Sequence, residues 1–262
     1  MNNKILVLII VTAWVSSCTI YKEYPVDIYK PGETTLPSNA LNIAIVSRNF
    51  KYNIDTLQHY YKTELKLVKD KKNQHINIDS LAVSRTLKGI ATELQNSEKF
   101  AEIELWPYNI IKQHKGEKLS PFKWEIVNNL TNPVNADLLI SLESLSYFFS
   151  SLKSNDNYPP FNQVITASVW GIYDPSSEKI IEQKQLIDTI YWDGYDNDGG
   201  KNYNVPNRLD AIELACEIAG KNYAKRLSPS WLEVNRMYII PPVEDFRLAA
   251  GYFENGKWND AI

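Results

Sequence analysis

The side chains with the most capacity for chemistry are three histidines and one internal cysteine. His59, His75 and His114 each stand alone among polar residues, without the cysteine or carboxylate neighbours that complete a metal or catalytic site. This pattern predicts solvated surface histidines. Cys216 falls on the apolar side of a helical pattern, which predicts a buried thiol without a nucleophilic role. Neither a Gly-x-Ser-x-Gly elbow nor a glycine-rich phosphate loop occurs, so we predict no catalytic residue, no metal site and no cofactor.

The segment 193–200 combines carboxylates with glycines and is the main candidate for holding an ion. It departs from the EF-hand pattern, because Gly194 stands where the first ligand belongs and Val205 where the closing glutamate belongs. A solvated loop is the simpler interpretation of Asp193 to Asp198, and an ion site is the alternative. The aromatic side chains near this loop are a candidate surface for stacking on sugar rings or peptides: Tyr191, Trp192, Tyr195 and Tyr203.

A second cysteine, at the end of the N-terminal segment, has a different chemistry. Lys4 precedes an apolar run that ends by Val15, which is too short for a membrane-spanning helix of about 20 residues. Residues 1–17 therefore match an export signal, and Val15-Ser16-Ser17-Cys18 resembles the bacterial lipobox. The small serines suit the narrow cleft of signal peptidase II, and the Cys18 thiolate is the nucleophile that accepts a diacylglyceryl group. We predict that residues 1–17 are removed and that lipid on Cys18 anchors the mature chain.

Composition limits the partners and the means of stabilisation. The 28 basic and 31 acidic residues give a net charge of −3, without the basic stripe that nucleic acid requires. We therefore predict no nucleic-acid partner. With Cys18 carrying lipid, Cys216 has no cysteine to pair with, so stability must come from a hydrophobic core. A hydrophobic content of 44% in 262 residues is enough for one substantial core.

The first half of the chain predicts a tether followed by a β-α-β unit. Prolines and a glycine among the polar residues of segment 18–40 indicate an unstructured tether. Leu41–Val46 is a short apolar, β-branched run that predicts a central strand. Asp79 is expected to cap an amphipathic helix of which one face carries Val83, Leu87, Ile90 and Leu94. Segment 100–105 alternates apolar and acidic residues and predicts a half-buried strand.

The second half predicts a long hairpin and a second helix. A strand is expected from Ala136 toward Phe149, and two β-branched and aromatic runs, 164–173 and 180–192, flank a turn sequence. Apolar spacing over 209–227 predicts an amphipathic helix that Pro229 closes, followed by a strand over 233–240. Residues 41–240 are thus predicted to form an α/β (α+β) domain: a mixed sheet with a long antiparallel hairpin and two packed amphipathic helices.

These elements carry two resemblances. The strand 43–46 and the Ser97-Glu98-Lys99-Phe100 step resemble the exported domains of the curli-secretion pore and of lipoproteins that activate cell-wall synthases. More specifically, the whole chain resembles a family of uncharacterised Bacteroidetes lipoproteins in which such a domain precedes tetratricopeptide-like helices. The lipobox, the strand 41–46 and the segment 243–262 carry this likeness.

Segment 243–262 matches the small, aromatic and glycine spacing of a partial tetratricopeptide repeat. The matching residues are Leu248, Ala249, Tyr252, Gly256, Trp258 and Ala261. Such a repeat buries its apolar face only against neighbours, so it predicts a docking helix or the start of an array in a chain truncated at Ile262. A single amphipathic helix is the alternative.

The sequence favours a non-catalytic envelope lipoprotein that binds an envelope protein partner. Thr19–Lys22 lacks the acidic run that resembles a surface-export tag, which favours the periplasmic face of the outer membrane. The alternative is a glycan-binding or glycan-active protein that uses the aromatic and acidic residues of 191–203. A ring-forming component like the curli pore is less favoured, because charged and amide side chains interrupt both faces of 180–192.

Overall fold

The computed structural model describes residues 20–48, 50–52, 59–97, 99–112, 114–116, 118–153, 159–194 and 205–261. The strands are β1 (Ile20–Lys30), β2 (Asn42–Ser47), β3 (Phe50–Tyr52), β4 (Tyr60–Thr63), β5 (Lys66–Lys69), β6 (Glu102–Leu105), β7 (His114–Gly116), β8 (Leu138–Leu152), β9 (Phe161–Asp174), β10 (Lys179–Asp193) and β11 (Ser230–Ile240). The helices are α1 (Lys72–Gln95), α2 (Trp124–Thr131), α3 (Arg208–Leu227) and α4 (Glu244–Glu254).

The chain divides into two compact units. The larger unit covers Pro31–Ser230, and the smaller unit combines Met1–Lys30 with Trp231–Ile262. Within the larger unit, a sheet has the strand order β10-β9-β8-β2-β6, and the β4–β5 hairpin joins it through β8. The mixed α/β class is therefore confirmed.

The sheet is parallel in one part and antiparallel in the other. β2 pairs in parallel with β6 on one side and with β8 on the other. Residues 43–46 are fully buried because helices cover both faces of this central strand. β8, β9 and β10 pair antiparallel, so the predicted hairpin is confirmed. Its turn is stabilised by Asp174, whose carboxylate accepts hydrogen bonds from Ser176 and Ser177.

Two helices pack on one face of the sheet and a third packs on the other. α1 and α3 share the larger apolar cluster with β2, β8 and β9, whereas α2 belongs to a smaller cluster on the opposite face. α1 and α3 approach closely because each has a glycine at the crossing. A Cβ at Gly89 would lie 2.2 Å from the Glu217 carbonyl oxygen, and one at Gly220 would lie 2.1 Å from that of Thr86.

Three predictions about the elements need correction. The segment predicted as a tether contains the strand β1. Its tyrosine, valine and isoleucine residues favour a strand. Pro25 is tolerated because each strand of a two-stranded ribbon has one edge without a partner. The strand over 233–240 does not join the main sheet, since β11 pairs with β1. The first helix begins at Lys72, so Asp79 lies inside the helix and does not cap it.

The C-terminal segment contains one helix, α4, and a short 3-10 turn at Trp258–Asp260. Gly256 has a left-handed φ of 69° just beyond the helix end. The glycine therefore ends the helix, as glycine commonly does. The repeat-like arrangement stays a prediction, because the described residues contain only this one helix of it.

Candidate protein-binding surface

The smaller unit is built on a two-stranded ribbon of β1 and β11. The ring of Tyr29 lies 5.4 Å from that of Trp231, whereas Lys22 and Tyr238 both reach Glu254. Tyr29 is near the end of β1 and Trp231 is near the start of β11, so the two strands run antiparallel. A two-stranded ribbon is marginally stable in water by itself, so the helix that packs on it is part of the unit.

An aromatic cluster attaches α4 to one face of the ribbon. The Phe253 ring lies 4.5 Å from Tyr24, 5.6 Å from Tyr238 and 4.7 Å from Trp258. The pairs are tilted or edge-on, which is the favoured geometry for aromatic rings. Tyr24 and Tyr238 both contact Phe253, and side chains alternate between the two faces of a strand. The even-numbered residues of β1 and β11 therefore form the face on which α4 packs.

A polar contact accompanies the aromatic cluster. The Glu254 carboxylate accepts hydrogen bonds from Lys22 at 2.5 Å and from the Tyr238 hydroxyl at 2.8 Å. These two hydrogen bonds, mainly the one from Lys22, hold the pKa of the exposed Glu254 carboxyl below its ordinary value. The contact lies in solvent, so it orients α4 more than it stabilises the unit.

Next to this contact is an apolar groove of about 260 Å³. Its lining residues are Tyr238, Ile239, Ile240, Pro241, Phe246, Ala249, Ala250, Phe253 and Ala261. The α4 members recur with the i, i+3, i+4, i+7 spacing of a single helix face. Alanines form the part of this face where a second helix can approach closely, and larger apolar side chains border them.

The same unit exposes many large apolar side chains. Trp231 is 71% exposed and Met237 is 66% exposed. Others are Tyr21, Tyr29, Leu232, Ile239, Val243, Phe246, Leu248 and Trp258. Single exposed apolar residues are ordinary, but a concentration of them in one small unit is typical of an interaction surface. The arrangement suits binding of an apolar helix.

A second candidate site lies in the larger unit, in an open cavity of about 690 Å³. Its lining residues are Tyr61, Thr63, Gln74, Phe149, Ser151, Leu152, Lys153, Pro160, Asn162, Val205 and Arg208. The Arg208 guanidinium forms two hydrogen bonds to the buried Asp70 carboxylate and lies 4.2 Å above the Tyr61 ring. A cavity lined by aromatic and polar side chains is suited to a small polar ligand.

The structure does not bring the predicted aromatic cluster together. Tyr191 and Trp192 are consecutive in β10, so their side chains lie on opposite faces of the sheet. Tyr191 stacks on Phe161, and Trp192 packs against the larger core cluster. Tyr195, Tyr203 and the acidic residues Asp196 to Asp198 lie outside the described residues, and so does the lipobox cysteine Cys18.

The histidines have different surroundings. His59 is half-buried, and its Nε2 lies 3.3 Å from the Asp79 carboxylate, so the prediction that it is solvated is wrong. The same carboxylate accepts a hydrogen bond from the Tyr147 hydroxyl at 2.8 Å. His114 is exposed in β7, and the side chain of His75 lies outside the described part of the chain.

The predicted burial of Cys216 is confirmed. Its side chain is fully buried, and this burial raises the pKa of the thiol to about 12. A neutral thiol at ordinary pH is a weak nucleophile. Within the ranges that the structure describes, no three His, Cys, Asp or Glu side chains are grouped to hold a metal ion.

A buried polar network was not predicted. Glu143 is fully buried, lies 2.9 Å from an Arg48 guanidinium nitrogen and accepts a 2.6 Å hydrogen bond from the Tyr173 hydroxyl. Glu143 lies on the α2 face of β8 because it alternates with Leu139, which belongs to the cluster on that face. The register of β8 shifts at Glu143, so the inward-facing residues after it lie on the opposite face. The sequence feature that could have indicated this network is the single carboxylate of Glu143 within the otherwise uncharged strand β8. The network satisfies its own charges, which indicates a structural role.

None of the described helices is both long enough and apolar enough to span a bilayer.

The strand order and pairing of the larger unit define its class: a mixed α/β domain with a central parallel strand and an antiparallel extension. Residues 40–239, more than half of the chain, match the family described as Domain of unknown function (DUF8603). The chain belongs to that family. No curated protein matches the chain significantly.

Three solved structures are similar at low identity. The PelC dodecamer of Paraburkholderia phytofirmans is 10% identical with a TM-score of 0.30, covering 78% of this chain and 98% of PelC. A neuraminyllactose-binding hemagglutinin homologue of Helicobacter pylori is 11% identical with a TM-score of 0.33, covering 76% and 88%. A DUF330 protein of Xanthomonas campestris is 9% identical with a TM-score of 0.33, covering 74% and 87%. TM-scores this low support no argument about function.

Proposed function

We propose that this chain is a lipid-anchored envelope protein that binds a protein partner through its smaller unit and has no catalytic activity. The observation that supports this most directly is the apolar groove on α4, within a unit that exposes many large apolar side chains. The lipobox at Cys18 supports the anchor. Because Thr19–Lys22 lacks an acidic surface-export run, the proposed location is the periplasmic face of the outer membrane. The proposed relatives are the Bacteroidetes lipoprotein family that the sequence resembles.

The partner that suits the groove is an amphipathic helix. Ala249, Ala250 and Ala261 allow close approach of a helix backbone, while Phe246 and Phe253 offer apolar walls. Recognition of this kind uses apolar anchors at i, i+3, i+4 and i+7 of the bound helix. An envelope protein with such a helix is the proposed partner.

The absence of catalysis is supported by the roles of the candidate groups. Glu143 is neutralised by Arg48 inside the core, and Asp70 is held by Arg208. Cys216 is buried with a raised thiol pKa. Each of these groups has a structural partner or environment that opposes its use as a nucleophile or base.

The anchor is tested by replacing the lipidated residue. The chain with Cys18→Ala is expected to leave the membrane fraction and to lose incorporation of a labelled fatty acid. If the variant stays in the membrane fraction with the same label, the lipid anchor at Cys18 is wrong.

The partner surface is tested by crosslinking in intact membranes, followed by purification of the full chain and mass spectrometry. Ala250→Arg places a charge in the groove and is expected to reduce recovery of one envelope protein at least tenfold. Asn235→Arg is the matched control, because it adds the same charge to an exposed polar position of β11 outside the groove lining. A synthetic peptide of the recovered protein's amphipathic helix should then bind the purified chain. Equal recovery with Ala250→Arg would contradict the proposal.

The alternative is glycan binding, and the observation that favours it is the cavity beside Tyr61 and Arg208. Purified chain retained on immobilised envelope glycans, with retention lost in Gln74→Trp, would support this alternative. Gln74 is exposed at the cavity, so the larger side chain fills the site without disturbing the core. No retention by either chain would exclude glycan binding as the alternative function.

A further inference from the structure

The outer edge of β10 is long and unpaired. β10 has 15 residues and pairs with β9 along one side, and no other strand of the described chain pairs with its second side. The strand contains no proline, which would remove a backbone N–H from the edge. It does carry charged residues, among them Lys184 and Asp188, and charges at an edge oppose pairing unless opposite charges meet across it. Its free backbone N–H and C=O groups are therefore available to another strand.

Four cross-strand rows of the sheet face beside this edge lack charge. The cross-strand rows of β8, β9 and β10 on this face are Ser144, Val169 and Gln185; Ser146, Ala167 and Ile187; Phe148, Ile165 and Thr189; and Ser150, Gln163 and Tyr191. None of these residues belongs to either core cluster of the described chain. An uncharged, half-exposed face extending to a free edge is unusual on a solvated surface.

We propose that β10 pairs antiparallel with β10 of a second copy of this chain, in the register centred on Leu186. In that register Leu186 faces its own equivalent, and Lys184 of each copy faces Asp188 of the other. Two opposite-charge pairs then flank the two-fold axis, and cross-strand pairs of opposite charge stabilise antiparallel strands. The interface is isologous, as in most homodimers.

Charge selects this register from its neighbours. A centre at Gln185 would place Glu182 opposite Asp188, and a centre at Lys184 or at Asp188 would place that residue opposite itself. A centre at Ile187 would pair Lys184 with Ile190 and leave both charges without a partner. Like charges directly opposite destabilise a strand pair. A centre at Gln183 would also pair Lys184 with Glu182, but only residues 179–187 would then face the partner's β10. The Leu186-centred register uses the whole strand and is favoured.

The two charged residues have unused capacity in the single chain. Lys184 forms no ion pair with any described residue. One carboxylate oxygen of Asp188 accepts a hydrogen bond from Asn222 at 2.8 Å. The other is buried and lacks a hydrogen-bond partner in the described part of the chain. Pairing of two copies would give both groups an opposite charge and would continue the uncharged face across the dimer.

The register is tested by disulfide formation between two full-length variants. Gln183→Cys in one copy should face Thr189→Cys in the other, with opposed Cα atoms about 5 Å apart, which suits a disulfide. Neither variant alone should crosslink, because residue 183 or 189 would lie about 20 Å from its own equivalent. The parent chain, in which Cys216 is buried, is the control for background oxidation.

The charge pairs are tested by sedimentation of the full chain. Lys184→Glu is expected to weaken the dimer about tenfold, since it replaces two attractive pairs with two repulsive ones. Lys225→Glu makes the same charge change on α3 and should leave the dimer unchanged. Combining Lys184→Glu with Asp188→Lys should restore the association.

A disulfide that forms only in the mixture, together with the sensitivity to Lys184→Glu, would establish the pairing. A monomeric parent chain that yields no mixed disulfide would overturn it. Disulfides formed equally by the single variants would also overturn it, because they require another register. The outcome is independent of the groove on α4, so it separates this proposal from the proposed function.

Discussion

The buried carboxylate of Glu143 shows how one residue can depend on a single partner. Its charge is balanced by Arg48 across 2.9 Å. Arg48→Met removes this balance and leaves an unpaired charge in the core, so we expect the free energy of unfolding to fall by about 3–5 kcal/mol. Urea denaturation followed by tryptophan fluorescence measures the change.

A matched control is the solvent-exposed pair of Lys153 and Glu64, which is 3.0 Å long. Lys153→Met is expected to change stability by less than about 1 kcal/mol, because water screens an exposed pair. If Arg48→Met were as mild as Lys153→Met, Glu143 would not be held as a buried carboxylate.

The buried thiol of Cys216 should make the free energy of unfolding depend on pH above about 9. An unfolded thiol ionises near pH 9, whereas burial raises the pKa of the folded Cys216 thiol to about 12. The unfolded state therefore loses a proton that the folded state keeps, and stability present below pH 9 decreases as the pH rises from 9 toward 12. The expected contribution is about 1.4 kcal/mol per pH unit. Denaturation at pH 9 and 10 should show a shallower loss for Cys216→Ala, and an equal loss would contradict this account.

Elements with a strong local pattern could be predicted from the sequence, and those that depend on distant partners could not. β2, the β9–β10 hairpin and α3 are long or uniformly apolar, so their periodicity identified them. The first turns of α1 are mainly polar, which concealed its start at Lys72. The short β4–β5 hairpin and α2 give weak patterns and were not predicted.

The candidate groove was only partly predictable for the same reason. The small-residue spacing of the last helix drew attention to Ala249 and Ala261, which both line the groove. Its other wall comes from β11, whose position depends on pairing with β1. A pairing between segments about 200 residues apart leaves no local signal in one sequence.

The crossing of α1 and α3 gives a prediction at the scale of elements. Gly220→Ala would bring a Cβ within 2.1 Å of the Thr86 carbonyl oxygen. Because that neighbour is backbone, the helices must separate, and we expect a loss of about 1–3 kcal/mol. Thermal unfolding monitored by circular dichroism measures it. Gly251→Ala in α4 is the control: its Cβ meets nothing within 4 Å, so the change should be neutral or stabilising by up to about 1 kcal/mol.

At the scale of the whole molecule, the sequence predicted one domain between a tether and a repeat-like segment, and the structure has two compact units. The difference arises because β11, predicted as the last strand of the domain, pairs with β1 in the predicted tether. Both apolar core clusters lie entirely within Pro31–Ser230, so the larger unit keeps its full core without the ribbon.

This partition predicts that the fragment Pro31–Ser230 folds by itself. A unit of this size buries enough apolar surface for cooperative folding. We expect a single urea transition and a near-ultraviolet circular dichroism spectrum that retains the signal of the stacked Trp170 and Tyr223 rings. The purified fragment should also fail to bind the synthetic helix peptide of the recovered partner, because the α4 groove is absent from it. A fragment that unfolds without a transition would show that the smaller unit is required for the core. A folded fragment that still captures the partner would move the binding surface to the larger unit.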